Sequence, residues 1–161
     1  MTELDHAREA LEQVCARGNL ERARELYAED FVDHVNALDF HGHDGIARSV
    51  ALYRAIFPDL EIRVLDQSAD GDRVTSRWTL HGTHRNRRVT LPGITISRFE
   101  NGKIAEDWTV SDNLELLRGV GRARAGLRRR EHEEVWSDFS MATARMSIAP
   151  RVRARPSSTI V

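Results

Sequence analysis

The chain contains one cysteine, Cys15, among 161 residues. A single cysteine cannot form an intramolecular disulfide, so we expect folding in a reducing cytoplasm. Cys15 lies among apolar positions at helical spacing, which predicts a buried, unreactive thiol rather than a nucleophile.

Long hydrophobic runs are also missing. No apolar stretch approaches the roughly 18 residues that a membrane-spanning helix needs. The acidic N-terminus does not resemble a secretory signal. We therefore expect no membrane partner, and a composition of 40% hydrophobic and 30% charged residues fits one globular domain.

Neither positive nor negative charge predominates, since the formal net charge is −1. The charges are unevenly distributed, however. Residues 122–161 carry nine Arg against four acidic residues (+5), and residues 1–121 carry 15 basic against 21 acidic residues (−6). An acidic body and a tail with few aromatics do not favour nucleic-acid binding. We predict a folded domain over 1–121 and an Arg-rich extension over 122–161, partly helical and then disordered.

Hydrophobic periodicity changes at Pro58. Before it, three segments repeat apolar residues at helical spacing, and the first begins with a capping-box pattern at Thr2 and Asp5. After it, apolar residues alternate with polar ones, as in half-buried strands. Helices followed by antiparallel strands indicate an α+β fold with about three helices packed on a curved sheet.

The clearest local pattern is a hairpin within residues 93–112. Asn101-Gly102 separates two alternating runs, which is among the strongest hairpin signals. A turn at this point makes Thr95 and Thr109 neighbours on one face of the sheet and sets Arg98 opposite Glu106.

This hairpin and several other motifs resemble the SnoaL-like polyketide cyclases, which belong to the nuclear-transport-factor-2-like (NTF2-like) superfamily. The motifs are Tyr27-Ala28-Glu29-Asp30-Phe31-Val32-Asp33-His34, Gly82-Thr83-His84, Leu91-Pro92-Gly93-Ile94, Asn101-Gly102-Lys103-Ile104 and Leu116-Leu117-Arg118-Gly119-Val120-Gly121. The resemblance covers about residues 3–121. It implies a cone-shaped, curved antiparallel sheet with N-terminal helices, and it implies a homodimer.

For function, the resemblance implies a cyclase or isomerase, either an intramolecular lyase/isomerase or an epoxide-opening cyclase, that uses no metal or other cofactor. Such an enzyme would act by general acid/base chemistry on a small apolar polyketide-type substrate in secondary metabolism, for example in antibiotic biosynthesis. The family usually has His-Trp-Asp after this turn, and that Asp is its catalytic acid/base. Here the tripeptide is Asp107-Trp108-Thr109, and Thr is not a base at neutral pH. The alternative is a binding module that kept the cone and lost the chemistry.

Three residues are candidates for the missing acid/base role: His34, His84 and Asp112. The resemblance places His34 in the pocket and His84 at its mouth, and His titrates near neutrality. The alternatives are an exposed or structurally bonded His34 at a helix–strand junction, and a His84 that belongs to the basic loop run 84–88. Asp112 follows the missing Asp, although it could instead cap a helix. Asp107 is a less obvious substitute base. The resemblance implies substrate contacts for Asn36, Trp78, Thr95, Trp108 and Thr109.

The run His41-Gly42-His43-Asp44 resembles the His-x-His-x-Asp ligands of metallo-hydrolases. Those enzymes need further ligands from the strand ends of a larger sandwich. Asp44 is better explained as the cap of the following helix, so we predict no metal site.

Overall fold

The computed structural model describes residues 1–35 and 38–111. The predictions for Asn36, Asp112 and residues 122–161 therefore lie outside the described residues. The helices are α1 (Glu3–Glu9), α2 (Leu20–Leu26) and α3 (Gly42–Ile56), and a π-helical segment, Ala10–Cys15, continues α1. The strands are β1 (Tyr27–Val35), β2 (Leu38–His41), β3 (Glu61–Asp70), β4 (Arg73–His84), β5 (Arg87–Glu100) and β6 (Lys103–Ser111).

The six strands form one sheet in the order β2-β1-β6-β5-β4-β3. Four neighbouring pairs are antiparallel, and β1 runs parallel to β6. The predicted α+β class is confirmed, but the sheet is mixed rather than wholly antiparallel. No hairpin joins β1 to β6, so their relative direction is not constrained by a tight turn.

Local sequence signals fix most element boundaries. The capping box is present, since the Thr2 side chain accepts from the Asp5 amide and the Asp5 carboxylate accepts from the Thr2 amide. Asn101 and Gly102 both have positive φ, as the predicted tight turn requires. Helix α3 begins earlier than expected, at Gly42, so Asp44 lies in its first turn rather than at the cap.

The helices cover one face of the sheet, called here the inner face. Its residues alternate along each strand with those of the outer face, as strand geometry requires. On β4 the inner residues Val74, Ser76, Trp78 and Leu80 are all buried. Within the described ranges, no helix combines the length and apolar character needed to cross a membrane.

Candidate functional site

A cavity of about 60 Å³ lies between the inner face of the sheet and the helices. This volume holds a few water molecules. Its lining is mainly apolar, with a few polar groups. The lining residues are Leu11, Cys15, Asp33, Val35, Ser49, Val50, Tyr53, Leu60, Ile62, Trp78, Leu80 and Thr109.

The π-helical segment contributes Leu11 and Cys15 to this lining. A π-helix is rare and often lies next to a functional site. Burial raises the pKa of the Cys15 thiol to about 12, and its sulfur lies 3.9 Å from the Tyr27 hydroxyl. The thiol is therefore neutral, in agreement with the prediction that it is not a nucleophile.

The most unusual feature near the cavity is a pair of carboxyl groups, Asp33 and Asp107. They are register partners across the parallel β1–β6 ladder, so their Cα atoms are about 5 Å apart. Asp33 is half-buried and lines the cavity. Asp107 lies beside it and is 6% exposed, and its Oδ1 atom has no hydrogen-bond partner.

Both carboxyl groups have raised pKa values. For Asp33 the main cause is burial, followed by the neighbouring charge of Asp107, and together they hold its pKa well above the ordinary value of 3.8. Burial also raises the pKa of Asp107 to about 7, although a hydrogen bond from the Ser97 side chain opposes the shift. Since two adjacent carboxyls cannot easily both ionise, the pair retains a proton near neutral pH.

The sequence contains a signal that points to Asp33. Phe31, Asp33 and Val35 alternate along β1, and both apolar members are buried. Their parity places the intervening Asp33 side chain on the inner face. Within the motif Tyr27 to His34, the family resemblance points to His34 instead.

Three polar side chains form a row beside the carboxyl pair. The Trp78 indole Nε1–H donates to Thr95 Oγ1 at 2.9 Å, and Thr95 Oγ1 lies 3.0 Å from Thr109 Oγ1. The predicted pairing of Thr95 with Thr109 is confirmed by the β5–β6 register. Trp78 and Thr109 line the cavity, whereas Thr95 is 1% exposed and lies behind them.

Gly93 allows Trp78 to take this position. It is the register partner of Trp78 on β5. A Cβ atom on Gly93 would lie 2.3 Å from the indole ring, a distance that real side chains do not tolerate. The missing side chain thus lets the indole lie across β5.

His34 and Trp108 differ from their predicted positions, because both lie on the outer face. His34 Nδ1 is 2.7 Å from Asp39 Oδ1, and its Nε2 is 2.9 Å from Glu106 Oε1. Hydrogen bonds to these carboxylates raise the pKa of His34. Its ring stacks on Trp108, with 5.8 Å between centroids, and Arg73 lies 5.4 Å above Trp108. His34 follows Asp33 and Trp108 follows Asp107, and successive side chains of a strand point to opposite faces of the sheet.

His84, at the end of β4, is also outside the cavity lining. Its Nδ1 atom is 3.2 Å from the carbonyl oxygen of Ile56, and its ring meets Phe57 edge-on. These contacts give it a packing role at the end of α3. The other predicted acid/base residue, Asp112, and the predicted contact residue Asn36 lie outside the described residues.

Tyr53 completes the set of titratable groups at the cavity. Burial is the main cause that raises its pKa, and the nearby Asp33 charge adds to it. Across residues 1–35 and 38–111, no three His, Cys, Asp or Glu side chains are grouped so that they could hold a metal ion. His43 instead makes a 3.2 Å contact with the carbonyl oxygen of Tyr27.

Solved structures provide the comparison with known proteins. A candidate polyketide cyclase from Bacillus cereus is 30% identical, with a TM-score of 0.67, and the match covers 74% of this chain and 81% of that one. IdmH, a candidate polyketide cyclase from Streptomyces antibioticus, is 29% identical with a TM-score of 0.67, over 75% of this chain and 99% of its own. No curated protein matches the chain.

A SnoaL-like protein from Jannaschia is only 18% identical, with a TM-score of 0.66 over 76% of this chain and 93% of that one, so it supports the fold alone. The model of the SnoaL-like polyketide cyclase family matches residues 5–120. That match spans most of the chain and includes every strand of the sheet. The chain therefore belongs to the SnoaL-like polyketide cyclase family, with the NTF2-like fold.

Proposed function

We propose that this protein is a cofactor-independent cyclase or isomerase in which Asp33 and Asp107 move the proton. The substrate would be a small, largely apolar polyketide-type molecule of secondary metabolism. The observation that carries the proposal is the carboxyl pair itself, in which Asp33 lines an apolar cavity and Asp107 is its register partner on the next strand. Family membership supports cyclase or isomerase chemistry in general.

The division of labour follows from the positions of the two groups. Asp33 lines the cavity, so it exchanges the proton with the substrate. Asp107 is buried beside it and stabilises the protonation state that Asp33 needs. A pair that holds one proton near neutral pH can either accept or supply a proton, as general acid/base catalysis requires.

The apolar walls serve the same chemistry. They exclude water, which raises the carboxyl pKa values and makes the pair a stronger base when it ionises. Because the cavity volume is only about 60 Å³, a substrate with several rings would insert one edge rather than its whole body. We infer that this edge carries the acidic carbon–hydrogen bond.

A second candidate function is a non-catalytic small-molecule binding module. Thr109 favours it, since this position carries Asp in family members that catalyse the reaction. The two candidates make different predictions. In the module, the carboxyl pair would affect only stability and binding, whereas in the enzyme its removal would abolish proton transfer.

A proton-exchange assay separates these functions without the natural substrate. The probe is 2-tetralone, a bicyclic ketone with acidic α-hydrogens, incubated with the protein in D₂O. We expect the protein to accelerate deuterium incorporation, measured by proton NMR. Asp33→Asn should reduce this acceleration by about 10²-fold or more, and Asp107→Asn should shift its pH profile.

Asp30→Asn is the matched control, because Asp30 is an exposed residue of the same strand. It should leave the exchange rate unchanged. Saturable binding of 2-tetralone without faster exchange would favour the binding module. Equal loss in Asp30→Asn and Asp33→Asn would show that the effect does not come from the cavity.

A further inference from the structure

The row formed by Trp78, Thr95 and Thr109 has a direction. An indole N–H can only donate a hydrogen bond, so Thr95 Oγ1 is the acceptor in the 2.9 Å contact with Trp78. Thr95 is 1% exposed, so its own hydroxyl proton needs a partner inside the protein. Thr109 Oγ1, at 3.0 Å, is an acceptor within reach.

The opposite direction is less favourable. If Thr109 donated to Thr95, the Thr95 oxygen would accept twice and its buried proton would need a further acceptor. An unsatisfied buried donor costs more than the net gain of an ordinary hydrogen bond. The row therefore runs from Trp78 through Thr95 to Thr109, and this order leaves the Thr109 proton unused within the row.

Thr109 is the member of the row that can present this proton to a ligand. It lines the cavity, whereas Thr95 lies behind it. On β6 it follows Asp107 by two residues on the same face, about 7 Å along the strand. Its register partner on β1 is Val35, and Asp33 precedes Val35 by two residues on the same face.

We propose that Thr109 donates a hydrogen bond to an oxygen atom of the substrate while Asp33 exchanges the proton. This inference rests on the proposed function. Trp78 and Thr95 are positioning residues, because they fix the Thr109 hydroxyl and polarise it through a chain of hydrogen bonds. The donor would be most effective when negative charge develops on the oxygen. Thr109, which replaces the family's Asp, thus supplies a hydrogen-bond donor at that position.

The test uses infrared spectroscopy of 2-tetralone labelled with ¹³C at the carbonyl. A hydrogen bond from Thr109 should move the carbonyl stretch of the bound ketone to lower frequency. Thr109→Val removes the hydroxyl at nearly constant volume, so the shift should disappear and binding should weaken roughly two- to tenfold. Thr109→Ser should preserve the shift.

A further variant tests the row of hydrogen bonds, and another is its control. Trp78→Phe keeps the Thr109 hydroxyl but removes the first donor, so we expect a smaller shift rather than none. Thr75→Val changes a half-exposed Thr on the outer face of β4 and should match the wild type. If Thr109→Val does not fold, as judged by circular dichroism, Thr109→Ala provides the same loss of hydroxyl with less side-chain volume.

The outcomes separate this inference from the proposed function. An unchanged carbonyl shift in Thr109→Val would contradict the hydrogen bond from Thr109, even if Asp33→Asn abolishes proton exchange. A carbonyl shift that depends on Thr109, without proton exchange catalysed by the wild type, would support the hydrogen bond from Thr109 and contradict the proposed function. Absence of saturable binding to the wild type would contradict both.

Discussion

The two faces of the β1–β6 ladder shift the pKa values of adjacent acidic residues in opposite directions. On the outer face, hydrogen bonds from His34 and Arg98 lower the pKa of Glu106. On the inner face, burial raises the pKa of Asp107, the next residue, to about 7. The difference shows that the face of the sheet, rather than the residue type, decides whether a carboxyl group is a permanent charge or a group that titrates near neutrality.

On the outer face, charged side chains form hydrogen bonds with one another. Arg98 Nε donates to Glu106 Oε2 at 3.3 Å, and His34 contacts both Glu106 and Asp39. The inner face satisfies its polar groups less completely, since Asp107 Oδ1 has no partner. A buried carboxyl that is left partly unsatisfied reduces stability, which is a common property of functional sites.

The largest predicted effect concerns the pH dependence of stability. The folded pKa of Asp107 is raised from 3.8 to about 7, so its contribution to stability is fully present below about pH 4. This contribution is lost as the pH rises through about 7, and the loss for the two carboxyl groups together should amount to a few kcal/mol. Asp107→Asn should reduce the total loss, since only the buried Asp33 then contributes to it, and make the variant more stable than the wild type at pH 8.

Urea unfolding at pH 4.5 and pH 8 measures this difference. Asp30→Asn is the control, and it should keep the wild-type dependence on pH. If the wild type and Asp107→Asn lost the same free energy of unfolding between these pH values, Asp107 would not be protonated in the fold, and the contrast between the faces would fail.

A smaller effect is expected for the glycine beneath Trp78. Gly93→Ala would place a Cβ atom where the indole now lies, so Trp78 must move away from Thr95. Forced repacking of this kind costs about 1–3 kcal/mol. Ile94→Ala alters the next residue, which faces outward and is 46% exposed, and it should change stability by less than about 1 kcal/mol.

Thermal unfolding compares the two variants, and tryptophan fluorescence reports the environment of the indole. Equal stability losses in Gly93→Ala and Ile94→Ala would show that the close approach of Trp78 to Gly93 is not needed.

The smallest effect is predicted on the outer face. The pKa of His34 is raised, so its stabilising contribution is complete below about pH 6.5 and is lost as the pH rises through the folded value. The His34 side chain is 31% exposed and solvent screens its ion pairs, so His34→Gln should cost no more than about 1 kcal/mol at pH 6. High salt should reduce this cost.

Chemical unfolding of His34→Gln at low and high salt, together with the proton-exchange assay, checks this prediction. The exchange rate at 2-tetralone should remain at the wild-type level. A large loss of exchange in His34→Gln would return His34 to the site and contradict its assignment to the outer face.

The sequence predicted features that depend on nearby residues. Asn101-Gly102 encodes a local turn, and from that turn the pairing of Thr95 with Thr109 follows by counting along two strands. The capping box of Thr2 and Asp5 is local in the same way. The superfamily fold followed from the order of several such motifs.

The candidate site was harder to predict, because it depends on a contact between distant strands. Asp33 and Asp107 meet only through the parallel pairing of β1 with β6, for which the sequence carries no turn signal. A shift of one residue on a strand also exchanges the two faces. The resemblance assigns His34 and Trp108 to the cavity, whereas in the fold their neighbours Asp33 and Asp107 are on the inner face.

Carbon-13 NMR of the Asp carboxyl groups tests the central claim most directly. A pH titration of the wild type, with Asp33→Asn and Asp107→Asn to assign the signals, follows each carboxyl separately. We predict that the pair still holds a proton at neutral pH and that removal of either member changes the titration of the other. Two carboxyl signals that both titrate near pH 4, independently of each other, would contradict the account.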